Sequence, residues 1–379
     1  MTKTWDVLGW KFVLSPARLV MLALAMLGVG VILVRFLTGF GLVTNLNDDW
    51  PWGLWITFDV LIGVALAGGG YFSALIVHVL HQDRYLAISR SAMLTSLIGY
   101  LLVLAGLGVD IGQWFNFWRP FVSWGYSSVL FEVFLCISAY TTIQLLEFGE
   151  ILTERIGVKW HSFFAKIMPV LIVTGIIFPT LHQSSLGGLY LIAVNKLYPL
   201  WWSPFLPAFF FMSSFFVGPA MICVESALAG RAYQHKVPLS VLRGLGQIGG
   251  GMMVLYFALK MYDLASRGTL PLMFQGNLEG NLFLAEMILG IIIPVILIFS
   301  KVTKTYGGLF TYGILVSAGV VLNRVDVSLV GMAGKAATSY FPTVWEFATS
   351  VGFIAIGCLL YCFIVDNFRI LGHEETGHA

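Results

Sequence analysis

Eight ionisable side chains interrupt stretches of this sequence that are otherwise apolar: Asp59, Asp110, Glu132, His182, Glu225, Glu286, Arg324 and Glu346. A charge at the centre of a hydrocarbon layer costs at least ~2.5 kcal/mol on insertion scales, so each is a functional candidate by default. Carboxyls and an imidazole gathered away from water can take up and release protons, which is what proton-coupled electron transfer or transport requires. The structural alternative for any one of them is a buried group that pins two helices together, as Arg324 would do with Asp326 or Glu346.

The elements that must carry these groups are membrane spans. The chain has 379 residues, 58% hydrophobic and only 11% charged, with a mean hydropathy of +0.88, which excludes an ordinary water-soluble domain. At about 20 residues per crossing of a roughly 30 Å core, about ten apolar runs qualify: 19–41, 53–80, 91–113, 127–150, 165–186, 205–229, 239–262, 280–300, 305–323 and 344–366. Barrel-type alternation is absent and a bilayer admits only helices or closed barrels, so the expectation is an all-α, polytopic helical bundle. Residues 1–379 then form one integral membrane domain. No small-residue cleavage motif closes the first run, which reads as a retained span.

Lys and Arg set the orientation. Fourteen of them, from Lys3, Lys11 and Arg18 through Arg84, Arg90, Lys159 and Lys301 to Arg369, fall on one side, against five on the other: Arg119, Lys196, Arg267, Arg324 and Lys335. The positive-inside rule places both termini of a multi-pass membrane protein in the cytoplasm. The outer loops then hold Trp50, Trp52, Trp55, Trp114, Trp118, Trp124, Trp201 and Trp202, expected mainly as an interfacial aromatic belt and alternatively as a partner surface.

With that topology imposed, five of the ionisable groups reach one depth in the outer third. At 1.5 Å per residue, Asp59 lies about 9 Å and Glu132 about 8 Å below their helix starts. Residues three or four apart share a helix face. Asp59 stacks with Gly63 and Ala67, Asp110 with Gly106, Glu132 with Ser128 and Cys136, and Glu346 with Ser350, so each acid is expected to point inward along a small or polar stripe. His182 follows Pro179 by three residues in FPTLHQSSLGG, where a proline loosens the helix and frees a carbonyl. Together these features predict a polar pocket. Glu225 and His78, near the inner end, could begin a proton route, or could simply cap and snorkel. Glu147, Glu150 and Glu154 read as a solvated helix end, and Glu286 has no assigned role.

Several chemistries are excluded. A net charge of +2 with no basic patch argues against nucleic acid. Cys136, Cys223, Cys358 and Cys362 lie in apolar runs without zinc or iron–sulfur spacing and read as buried hydrophobes. Paired helical histidines at one depth, needed for a membrane b haem, are missing. The glycines at 68–70 and 249–251 sit inside apolar helices, where close packing explains them better than nucleotide binding.

Four motifs, PWGLWITFDVLIG (51–63), SVLFEVFLC (128–136), FPTLHQSSLGGL (178–189) and FPTVWEF (341–347), resemble the NrfD/PsrC-type quinone-interacting membrane subunits, and the resemblance extends over essentially the whole chain. The likeness includes the branch that serves periplasmic nickel–iron hydrogenases of the hydrogenase-2 type. The resemblance implies a subunit without haem or an iron–sulfur cluster of its own. Such a subunit exchanges electrons between quinone (menaquinone or ubiquinone) and a ferredoxin-like iron–sulfur subunit on the periplasmic face, which serves the hydrogenase large and small subunits. It implies proton-transfer roles for Asp59, Glu132 and His182, a quinone site that adds Tyr100 and Asp110, and a proton path that includes Arg90 beside Glu225. Other members serve polysulfide or nitrite-type reductases. On the residues alone, a proton-coupled transporter and a structural anchor also fit.

Overall fold

The structure is a computed structural model and describes residues 3–156, 161–193 and 196–371; Lys159, counted above with the inner charges, lies outside them. Ten long helices follow one another: α1 (Pro16–Thr38), α2 (Ile56–Val79), α3 (Leu86–Asp110), α4 (Val129–Ile156), α5 (His161–Leu191), α6 (Leu206–Ala232), α7 (Leu239–Ser266), α8 (Leu278–Phe299), α9 (Tyr306–Ala333) and α10 (Val344–Asn367). Among the described residues nine of them are long and apolar enough to cross a membrane. The exception is α7, whose 28 residues include Arg243, Lys260 and Asp263 as well as the glycines at 249–251, which together lower its hydropathy. The protein is a polytopic helical membrane protein.

Local chemistry fixes the helix ends. Ser15 caps α1 by accepting from the Arg18 amide, with Pro16 in the first turn. Asn277 accepts from the Gly280 amide at α8 (2.9 Å) and Thr305 from the Gly308 amide at α9 (3.0 Å). At α10 a capping box joins Thr343 and Glu346 reciprocally. Several spans depart from α geometry: Ile56–Ile62, Leu75–Val79, Ile288–Ile292 and Asp326–Val330 are π-helical. Such insertions recur at functional sites in helices.

Two short antiparallel strands precede α1: β1 (Lys3–Val7) pairs with β2 (Trp10–Leu14) in the register Lys3↔Leu14. Leu8 and Gly9 turn between them at φ 54° and 79°, and Asn367 at the end of α10 bonds both ways with the Lys11 backbone. The hairpin and the end of α10 therefore share one end of the molecule, the strand end. The opposite end carries the tryptophan-rich loops.

Small residues let the helices approach closely. A Cβ added to Gly106 would lie 2.8 Å from Asp59 Cβ and one at Gly99 2.7 Å from Ala67 Cβ, so the stripe of Asp59, Gly63 and Ala67 is the seam of α2 with α3. Gly290 of α8 faces Gly319 of α9, where a Cβ would meet backbone at 2.6 Å. The expected packing role holds for Gly68, Gly70, Gly249 and Gly250, whereas Gly251 faces open space. The main core is built from α2 to α9.

Candidate functional site

Tyr100 of α3 and His182 of α5 meet with both side chains 0% exposed. Tyr100 Oη lies 2.7 Å from His182 Nε2, and His182 Nδ1 lies 2.9 Å from the Phe178 carbonyl oxygen. A carbonyl only accepts, so Nδ1 carries the proton and Nε2 accepts from the Tyr100 hydroxyl. The Tyr140 ring of α4 packs edge-on against Tyr100 at 4.6 Å. Behind Tyr140, toward the strand end, lies a cavity of about 260 Å³ lined by Gln144, Glu147, Glu150, Arg90 and His78 among others. Pro179 has no N–H to offer the Gly175 carbonyl one turn earlier, and Gly175 is part of this cavity's wall. The loosened helix segment expected from sequence thus borders a polar space.

Ser185, one turn beyond His182, donates to Glu132 Oε1 at 2.6 Å, joining α5 to the first turn of α4. Glu132 is exposed rather than turned inward, which corrects the expectation for this acid. It sits so early in α4 that only the α5 edge covers it. Asp59, Asp110 and Glu346 gather separately, among α1, α2, α3 and α10. Asp59 is buried and accepts from Ser350 of α10 at 3.1 Å. Half-buried Asp110 interacts electrostatically with both Arg35 and Glu346. Glu346 is fully buried and accepts from the Tyr340 hydroxyl, from the Thr343 amide at 2.8 Å and from the Asn45 amide at 3.3 Å. The single pocket expected from shared depth is therefore two clusters. The α2–α3 seam directs Asp59 toward α10, while His182 and Glu132 occupy the α4–α5 side.

The two path residues also separate. Arg90 pairs with Glu154 at 2.7 Å and borders the 260 Å³ cavity. Glu225 accepts from Tyr361 at 2.9 Å, between α6 and α10, and is absent from that cavity's lining. Arg324 bonds Asn323 at 2.6 Å and Ser213 at 2.6 Å, not Asp326 or Glu346 as suggested above. Glu286 accepts from Trp201 and Asn323. Trp50, Trp55 and Trp201 are buried rather than belt residues, whereas Trp114, Trp118 and Trp124 are exposed. Cys136 and Cys223 are buried as expected, but Cys358 is exposed.

Reading from sequence missed three groups. Arg35 is buried in α1, donates to the Ile111 carbonyl and stacks 4.4 Å from the Phe40 ring; its place inside an unbroken apolar run was the available signal. Lys260, equally buried in α7, left the same kind of signal. Glu147 was set aside as solvated, yet it is buried and its Oε1 faces Gly175.

The chain matches the family described as "Polysulphide reductase, NrfD" over residues 42–333. A protein of Nitratidesulfovibrio vulgaris (strain Hildenborough) is 34% identical over 95% of this chain and 96% of its own. The "Probable Ni/Fe-hydrogenase 2 b-type cytochrome subunit" of Escherichia coli K12 is 32% identical over 96% of this chain and 94% of its own. The "Menaquinone reductase, integral membrane subunit" of N. vulgaris is 28% identical over 84% of this chain and 83% of its own. The E. coli name speaks of a b-type cytochrome, but the residues here do not fit a haem. His182 is the buried histidine among the described residues, and both its ring nitrogens are engaged, leaving no axial ligand pair. The chain belongs to the NrfD family of membrane subunits.

Proposed function

We propose that this NrfD-family subunit passes electrons between an iron–sulfur partner and membrane quinone, as the membrane subunit of a respiratory nickel–iron hydrogenase complex in the bacterial inner membrane. The E. coli relative's printed name supports the hydrogenase assignment and that of the menaquinone reductase subunit supports quinone as substrate. The strand end, where the basic residues collect, faces the cytoplasm, and the tryptophan-rich end receives the ferredoxin-like iron–sulfur subunit that serves the hydrogenase large and small subunits. Exposed aromatics at 114–124 give that end an apolar contact surface.

The observation that carries the reading is the buried Tyr100–His182 hydrogen bond, closed on one side by Tyr140 and the polar cavity behind it. Quinone, menaquinone or ubiquinone, enters laterally. An apolar groove of about 590 Å³ opens between α3 and α4, lined by Leu101, Leu104, Phe121, Phe134 and Leu135 among others, and suits an isoprenoid tail. Reduction takes two electrons from the partner and two protons, one to each quinone oxygen. Glu132 of α4, held by Ser185, supplies one and the Tyr100–His182 pair joining α3 to α5 supplies the other, the Tyr100 hydroxyl carrying the proton that His182 Nε2 accepts, with Asp59 and Asp110 as proton-holding groups on the far side of α3. Protons taken from the strand end through the cavity of Glu147 and Arg90, or past Glu225, would couple turnover to the membrane potential.

Replacing Glu132 by Gln tests the assignment. Loss of a positioned proton donor lowers a rate by about a hundredfold or more. Donor-dependent quinone reduction at the normal rate, in membranes holding an assembled Glu132→Gln complex, removes Glu132 from the mechanism. The family description favours one second reading, in which a polysulfide-type reductase replaces the hydrogenase as partner; identifying the subunits that co-purify with this chain separates the two.

A further inference from the structure

A second set of ionisable groups lies in the α7–α9 half, away from Tyr100 and His182. Lys260 and Asp263 of α7, Glu286 of α8, and Arg324 and Asp326 of α9 are each no more than 2% exposed. Trp201 Nε1 donates to Glu286 Oε2 at 3.0 Å and Asn323 Nδ2 to Glu286 Oε1 at 2.9 Å, while Arg324 donates to Asn323 Oδ1 at 2.6 Å. Asn323 and Asp326 share a face of α9, one turn apart, and Asp326 interacts electrostatically with Glu286. Lys260 interacts with Glu286 and Asp263 and lies 4.9 Å from the Phe209 ring centre. Asp263 closes the series in an ion pair with Arg267 at 2.7 Å, at the tryptophan-rich end.

Two features separate this series from a structural clamp. A buried clamp locks opposite charges in direct contact, because an unpaired buried charge costs several kcal/mol. Among the described residues the ion pairs are Arg18–Asp366, Arg90–Glu154 and Arg267–Asp263, so Lys260, Glu286, Arg324 and Asp326 are in none of them. Asp326, moreover, is 0% exposed with neither carboxyl oxygen hydrogen-bonded by the protein. It stands at the start of the π-helical turn Asp326–Val330, where the backbone departs from the regular ladder. Two residues on, Ser328 Oγ lies 2.8 Å from Thr57 Oγ1 of α2, itself two residues from Asp59.

We propose that Asp326, Glu286 and Lys260 form a proton relay through the α7–α9 half, discharging toward Asp263 and Arg267 at the tryptophan-rich end. Among the described residues no hydrogen bond joins Asp326, Glu286 and Lys260 directly, so each step passes through an intervening water. An O–H or N–H bond breaks on one group as a bond forms on the water, and another O–H of that water breaks as a bond forms on the next group; no electron moves and no redox co-reactant is needed. The proposal rests on the quinone reading for the source of its driving force, but its chemistry is testable without turnover.

The test uses the intact complex, purified through a tag on this chain and reconstituted in lipid vesicles. Infrared difference spectra of wild type against Asp326→Asn, recorded in H₂O and D₂O, read the carboxylic C=O band of Asp326. The expected result is a D₂O-sensitive band absent from Asp326→Asn, with exchange slowed at least tenfold in Lys260→Met. Identical carboxyl spectra for wild type and Asp326→Asn overturn the proposal, as does exchange at the wild-type rate in Lys260→Met. If Asp326→Asn does not assemble, Glu286→Gln, which retains the Trp201 bond, is read in the same way. Failure of the quinone reading would appear elsewhere, as unchanged quinone reduction in Tyr100→Phe, and would leave the infrared result intact.

Discussion

Removing the Tyr100 hydroxyl takes away the donor that, among the described residues, bonds His182 Nε2. A buried acceptor left without its partner costs about 1–3 kcal/mol. Tyr100→Phe is therefore expected to lower quinone reduction by about a hundredfold while the complex still assembles, as checked by donor-dependent quinone reduction normalised to the subunit in membranes. His182 was legible because its motif and Pro179 mark a helix that cannot be uniform; Tyr100 entered only through what the resemblance implied. Glu147 was not legible: Glu147, Glu150 and Glu154 repeat at helical spacing like any solvated face, and only the approach of Gly175 reveals that the first of them is covered. Glu132 failed in the opposite sense. Its small-residue stripe promised an inward position, but a stripe says that something packs there without saying how far along the helix the cover extends.

At the scale of elements, apolar runs located every span but not its ends. The run at 165–186 is the core of a helix spanning His161–Leu191, because polar residues continue a helix beyond the hydrocarbon where the backbone remains bonded. The hairpin at Lys3–Leu14 left no readable signal, since Trp5, Val7 and Phe12 are too few to set a period. The π-helical turns were equally silent, because the extra residue changes register without changing composition. Close packing supplies two predictions. Gly319→Val places side-chain atoms against the Gly290 backbone, and overpacking of about 1–3 kcal/mol should lower the unfolding temperature of the detergent-solubilised protein. Thr343→Ala removes the hydroxyl that accepts from the Glu346 amide; loss of about 1 kcal/mol is expected in the same measurement, together with weaker retention of Glu346 beside Asp110.

At the scale of the molecule, fold class and family were accessible from composition and motifs, while the grouping of polar residues was not, because depth alone cannot say which helices face one another. Among the described residues two buried ionisable clusters lie beyond the Tyr100–His182 pair: one around Asp59 and Glu346, the other around Glu286 and Asp326. Their separation by the α2–α3 and α6–α9 packing does not fit a transporter with one central site. Orientation is tested by accessibility. A cysteine at Lys301 should react with a membrane-impermeant maleimide only in inverted vesicles, and one at Lys335 only in intact spheroplasts, each read against the native cysteines. The most direct measurement of the central claim is a density map of the assembled complex purified with its native quinone retained. The account predicts the quinone head group within hydrogen-bonding reach of His182 or Glu132, with its tail in the α3–α4 groove. A head group at the strand end, or one held between α7 and α9, would contradict it.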